Sequence, residues 1–277
     1  MPAITLDAAQ AATAVDWAAA EGWNPGAADL PCFLAQDAGL FLGIAQEGGL
    51  AAVISATRYG QGFGFIGFYI ARPEMRGQGH GMAVWRAAMA RLEGRLVGLD
   101  GVVAQQDNYR KSGFRLAWNN IRFGGDPPRG LPVPEGILPA AAVPFESLAA
   151  LDASVFPAAR EAFLRAWLTA PGHVALARLR DGIVTGFGVI RPAREGHKLA
   201  PLVAETPEDA QALVAALLAH APQGPVFLDV PERQRAAVQL AESLGLKPVF
   251  ETARMYTGPA PAIRMDRLYG ITSFELG

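Results

Sequence analysis

Between Gly62 and Gly94 the spacing of apolar residues changes period within one short stretch. Phe63, Phe65, Ile66, Phe68, Tyr69 and Ile70 are β-favouring and nearly continuous, the pattern of a strand covered on both faces. Pro73, which has no N–H for a ladder, ends it. Met82, Val84, Trp85, Ala88, Met89 and Leu92 then recur at helical spacing. Between the two patterns lies Arg76-Gly77-Gln78-Gly79-His80-Gly81, so the stretch predicts strand, glycine-rich turn and helix. Glycines at alternate positions let a backbone approach a ligand closely. The helix behind them presents unpaired N–H groups and the positive end of its dipole. Such a turn suits a phosphate.

The flanking patterns fill in the first half. Leu6 to Glu21 predicts an alanine-rich helix with Asp7 as N-cap. Glu21-Gly22-Trp23-Asn24-Pro25-Gly26 breaks it, and Trp23 and Asn24 are read either as pocket-lining residues or as a plug and a turn former. Phe41–Ile44 and Leu50–Thr57 predict two strands joined through Glu47-Gly48-Gly49. The organising strand follows as their antiparallel neighbour, then Leu96–Val103 and a closing strand Leu116–Phe123. Gly124 to Pro144 carries Pro127, Pro128, Pro132, Pro134, Pro139 and Pro144, too many for a helix or an inner strand. It reads as a linker, with a boundary near Leu131.

The nucleotide loop of ATPases needs Gly-Lys-Ser/Thr, which is absent here, and the Rossmann GxGxxG with its distal acid does not fit either. Arg-Gly-x-Gly-x-Gly after a strand-ending Pro and before an amphipathic helix resembles the acyl-CoA loop of the GNAT N-acetyltransferase superfamily. Tyr109-Arg110-Lys111-Ser112-Gly113-Phe114 matches a second pattern of that family, Tyr-x-x-x-Gly-Phe, about thirty residues further on. The family's Asn seven residues before the Tyr is Val102 here, a departure from the pattern, and Asn108 is a candidate to replace its pantetheine contact. The resemblance implies an acyl-CoA site. Arg76, Gly77, Gln78, Gly79, His80, Gly81 and Met82 would hold the pyrophosphate, and the strand edge at Phe68, Ile70 and Ala71 would pair with pantetheine. Asn108 and Lys111 would lie near the donor, and Tyr109 would be the general acid. A phenol of ordinary pKa, about 10, can protonate a leaving thiolate. Glu74, His80 and Asp107 stay open as the base.

The second half repeats the first. Gly49 and Gly182, Gly113 and Gly245, and Gly124 and Gly258 lie 133, 132 and 134 residues apart, which argues for duplication. In this register a helix is expected near Ala159–Leu168, with strands Val174–Leu179, Ile183–Ile190 and Lys198–Ala204. A helix Pro207–His220, a strand Val226–Val230, a helix Glu232–Leu244 and a strand Val249–Tyr256 follow. Glu205-Thr206-Pro207-Glu208-Asp209 stands where the phosphate loop would be. Thr206 caps that helix, and the two acids after Pro207 would repel a pyrophosphate. The expected fold is α/β (α+β): two tandem GNAT-like domains, 1–131 and 132–277, each a mixed, mostly antiparallel twisted sheet flanked by helices. Only the first is expected to bind CoA.

Composition changes the picture little. The 277 residues are 51% hydrophobic and 18% charged with net charge −2, which offers no footprint for nucleic acid or anionic membrane. The lone Cys32 excludes an internal disulfide and fits a reducing cytoplasm. No leader or membrane span is read, and no His/Cys spacing suits a metal. The expected activity is acetyl transfer from acetyl-CoA to the primary amine of a small molecule, by a monomer (an internal pseudo-dimer) or a homodimer. The alternative is a non-catalytic acyl-CoA-binding or sensing protein, its second domain an interaction or effector module.

Overall fold

The computed structural model describes residues 2–221 and 223–277. The first half runs β1 (Ile4–Thr5), α1 (Ala8–Ala20), α2 (Asp29–Gln36), β2 (Phe41–Gln46), β3 (Gly49–Tyr59), β4 (Phe63–Ala71), α3 (His80–Arg91), β5 (Leu96–Val102), α4 (Gln106–Lys111) and β6 (Arg115–Gly125). The second half begins with β7 (Ile137–Pro139), α5 (Phe145–Val155), α6 (Glu161–Thr169), β8 (Val174–Arg180), β9 (Ile183–Pro192) and β10 (His197–Ala204). It continues through α7 (Pro207–Leu218), β11 (Val226–Pro231), α8 (Arg235–Ser243), β12 (Lys247–Tyr256) and β13 (Leu268–Gly270). These are two GNAT-like α/β units with mixed, mostly antiparallel sheets.

Local chemistry explains the elements that pattern reading found and those it passed over. Asp7 caps α1 with Gln10 in a reciprocal capping box. α2 carries Pro31 in its first turn, where the missing N–H costs no helical bond, so proline there does not mark a break. β7 ends on Pro139 and is tolerated because it lies at the outer edge of the sheet, paired only with β8. α5 lies directly after the proline-rich segment and buries Leu148, Leu151 and Val155.

The two halves share one thirteen-stranded sheet, with spatial order β1-β2-β3-β4-β5-β12-β6-β11-β10-β9-β8-β7 and β13 off this path, paired with β10. Each closing strand has crossed over. β12, from the second half, inserts between β5 and β6, pairing Thr252 with Val102 on one side and Asn120 on the other. β6, from the first half, reaches β11, pairing Phe123 with Leu228. The units are therefore exchanged rather than side by side. The cores cross the same boundary. Phe33, Phe41 and Phe68 pack with Phe163, Trp167, Val189 and Leu276 in one apolar cluster, and Phe33 stacks on Trp167 at 6.2 Å.

Two pairs of neighbouring strands run parallel, β4 with β5 and β10 with β11. Both pairs diverge soon after they start. In the first half the register stops at Ile66 opposite Leu99, so β4 from Gly67 onward has an open edge toward β5. In the second half β13 fills the corresponding gap, pairing Leu202 with Gly270 and Val203 with Leu268, and Ile271 N–H donates to Asp229 O on β11. One unit keeps its cleft and the other is plugged by its own chain.

Candidate active site

The open gap between β4 and β5 is a cleft of about 340 Å³. A β-bulge shapes its edge: β3 passes from Val53 to Ser55 while β4 passes from Ile70 to Gly67. The extra residue is accommodated with Phe68 at φ 48°, an uncommon conformation for a side chain of this size. The bulge turns backbone groups of β4 toward the cleft, while the Phe68 and Ile70 side chains stay buried in the shared core. One wall is Leu99–Val102 of β5 with Tyr109 of α4. The far wall comes from the second half, through Phe250 and Thr252 of β12 and Phe274 and Glu275 of the tail.

At the mouth, Gly77 and Gly79 hold φ 79° and 86°, a left-handed alternation that non-glycine residues rarely adopt. A Cβ at either would meet only open space, so the turn is glycine for its backbone and not for packing. Gly79 is the N-cap of α3, and the first acceptor in this stretch is taken by Ala83 N–H, which donates to Gly79 O at 3.0 Å. Among the described residues no N–H from Gly77 to Met82 has a backbone acceptor. That leaves a run of donors over a helix N-terminus, fit for a pyrophosphate. Arg76 does not point at these donors. Its Nε donates to Ala71 O at 3.0 Å and its guanidinium pairs with Glu21, so it braces the turn at the rim of the cleft, which both residues line. Gln78 likewise bonds back to Glu74 O. His80 is half-buried with Gln46 at 3.5 Å, and Met82 is exposed.

Tyr109 lies in the cleft wall, stacked on Trp85 at 5.7 Å and pressed against Gly101, where a Cβ would come within 2.2 Å of its ring. Burial pushes its phenol up to about 12, and the neighbouring Tyr69 adds a smaller push. The proton therefore stays on the oxygen throughout the neutral range. Asn108 and Lys111 lie outside the cleft lining; Asn108 donates to Gln105 at 2.7 Å and Lys111 to Asn108 at 3.3 Å. Trp23 does line the cleft. Asn24 instead ties the turn to the second half, exchanging two bonds with the Glu195 backbone at 3.0 and 2.8 Å.

None of Glu74, His80 and Asp107 lines the cleft; Glu74 pairs with Arg72 and Asp107 with Arg110 at the surface. The carboxylates that do line it are Glu21, Asp100 and Glu275. Asp100 is occupied by a bidentate pair with Arg254 at 2.8 and 2.6 Å and by Asn120 at 2.7 Å, all bonds across the exchanged strands. Deeper, Arg122 grips Asp229 at 2.6 and 2.8 Å and donates to Trp23 O at 2.7 Å. Burial opposes both charges, but each partner outweighs it, so Arg122 is held above and Asp229 below its ordinary range. Lys198, donating to Trp23 O at 3.3 Å, is pushed down to about 8 by burial and then by Arg122. No local pattern marked these residues, because strand exchange brings them together from opposite ends of the chain.

Residues 7–114 match the model of the Acetyltransferase (GNAT) family, and residues 148–270 match that of the Acetyltransferase (GNAT) domain. Over 265 residues the chain is 31% identical to the holothin acyltransferase of Pseudoalteromonas sp. (strain SANK 73390), covering 95% of this chain and 90% of the relative. A solved structure from Pyrococcus horikoshii, named only provisionally as an acetyltransferase, is similar with a TM-score of 0.85 at 19% identity. It covers 99% of this chain and 95% of that one. A tandem GNAT protein from the clavulanic acid biosynthesis pathway follows at 0.64 and 16%, covering 93% and 99%. The chain belongs to the GNAT acetyltransferase superfamily, with two such units in tandem, and the family's activity is acyl-CoA-dependent acyl transfer. Among the described residues no group of three or more His, Cys, Asp or Glu gathers as a metal site, and no helix is long and apolar enough to cross a membrane.

Proposed function

We propose that this protein moves an acetyl group from acetyl-CoA to the primary amine of a small molecule by direct attack, with Tyr109 as general acid. The observation that carries this reading is the conjunction, in the first unit alone, of an open β4 edge, free N–H groups at the turn and a buried phenol between them. The donor supplies a thioester already activated for transfer. Gly77 to Met82 bind its pyrophosphate through backbone N–H groups, and the bulged edge from Phe68 to Ala71 orients the pantetheine arm. Tyr109 Oη holds a proton for the sulfur; its raised pKa keeps that proton available at every physiological pH. Trp85 and Gly101 fix the ring in place. The second unit serves as a wall of the acceptor pocket and takes no donor, since β13 occupies its gap and Glu208 and Asp209 occupy its helix N-terminus. The relative's name assigns it holothin, which makes holothin the first acceptor to try here.

Calorimetry with acetyl-CoA tests the reading. One site is expected, lost in Gly79→Asp, where a carboxylate and a side chain at φ 86° would both oppose the anion seat. Two sites would place a donor in the second unit, and no binding would overturn the proposal.

A further inference from the structure

The tail from Ile271 to Gly277 is buried along its whole length. Tyr59 Oη donates to Leu276 O at 2.9 Å and Arg160 donates to Gly277 O at 3.0 Å, so the segment is fixed from both halves. It passes so close to the bulge that a Cβ on Gly67 would lie 2.1 Å from Glu275 O. Glu275 is only 4% exposed, and what exposure it has is to the cleft. Among the described residues its carboxylate accepts no hydrogen bond and has no ion-pair partner; the bonds on Ser273 Oγ come from backbone N–H groups.

A carboxylate that opens onto the cleft and takes no hydrogen bond from the protein is free to take one from a bound group. The nearby cations act on it only through their charge, and the Arg122 guanidinium lies 4.7 Å from the Phe274 ring centroid. Arg122 is committed to Asp229 and to Trp23 O, and Lys198 donates to Trp23 O, with neither within ion-pair distance of Glu275. On the same wall Thr252 Oγ1 is a buried polar atom with no hydrogen-bond partner. Around these two groups the lining is aromatic, with Trp23, Phe250 and Phe274.

We propose that Glu275 receives the acceptor's ammonium group, and that the acceptor is a small cationic amine carrying a flat apolar body held by Trp23, Phe250 and Phe274. This rests on the acyl-transfer reading above. The carboxylate pairs with the ammonium beside the strand edge where the acyl group is presented. Thr252 Oγ1 supplies one further hydrogen bond to the bound amine or its substituent.

The test compares benzylamine with benzyl alcohol, two rings differing in the charge on the side arm, by calorimetry on CoA-saturated protein. Wild type is expected to bind benzylamine at least ten-fold more tightly than the alcohol. Glu275→Gln is expected to bring the two within about two-fold while CoA affinity stays unchanged. Equal binding of both by wild type, no binding of benzylamine, or a preference that survives in Glu275→Gln would each overturn the proposal. If Glu275→Gln fails to fold, Glu275→Asp, which withdraws the charge on a shorter arm, is expected to weaken benzylamine but not benzyl alcohol, and unchanged benzylamine binding there overturns the proposal. Failure of CoA to bind at all would instead strike the acyl-transfer reading, so the two failures are distinguishable.

Discussion

Tyr109 shows how much one residue's environment adds to its identity. An ordinary tyrosine would be a serviceable acid; this one is buried beside Trp85 and Tyr69, and its proton is held to about pH 12. Tyr109→Phe is expected to lower kcat by about a hundred-fold or more, the usual range for losing an acid, with acetyl-CoA affinity within two-fold. Gly101→Ala, whose new methyl would collide with the ring, is expected to lower kcat in the same direction by displacing the phenol. Stopped-flow turnover with titrated acetyl-CoA separates these effects from binding. Lys198 gives a stability signature. Its folded pKa of about 8 lies below the ordinary 10.5, so between those values the unfolded chain binds more protons and stability rises with pH. The cost of burying the charge is fully present below pH 8 and fully relieved above about 10.5. Replacing it by Lys198→Met removes that rise, so the melting-temperature difference between variant and wild type should change across this window and be constant below it. A difference that stays flat from pH 8 to 10.5 would contradict the assignment.

Among the elements, β4 and its bulge set the geometry. Beside the bulge, Gly67 lets the tail lie directly on the strand, with no room for even one methyl group. Gly67→Ala is expected to destabilise the protein by about 1–3 kcal/mol through overpacking, read from urea unfolding. Gly77→Ala meets open space and carries only the backbone penalty of φ 79°, about 1–2 kcal/mol. The contrast between them assigns one glycine to packing and the other to conformation. β13 performs the opposite task in the second unit, closing the gap that β4 leaves open.

Over the whole molecule the exchange of β6 and β12 decides what can stand alone. Residues 1–131 without β12 would lose the neighbour that joins β5 to β6, and with it Phe250, Thr252 and the tail wall of the cleft. An open edge of that length is an aggregation hazard. Residues 1–131 expressed alone are expected to give no folded, acetyl-CoA-binding protein, whereas co-expression with 132–277 restores it; size-exclusion chromatography and calorimetry report both. A monodisperse isolated first half with wild-type affinity would show that the exchanged strand is dispensable.

The sequence by itself determined the local units: the Phe63–Ala71 strand, the glycine turn, the helix after it, the Tyr109–Phe114 pattern and the duplication all rest on near-neighbour spacing, which strand and helix periodicity encode directly. α2 and α5 were missed because a proline in a first turn and a helix beside a proline-rich segment look locally like interruptions. Only the tertiary structure decided which strand lies beside which. The order β5-β12-β6-β11 depends on pairings between residues more than 100 apart, such as Asp229 with Arg122 and Asp100 with Arg254, and no periodicity records a partner at that distance. For the same reason the turn could be read from the chain, whereas Thr252, Phe274 and Glu275 came into view only once the second half had folded across the first.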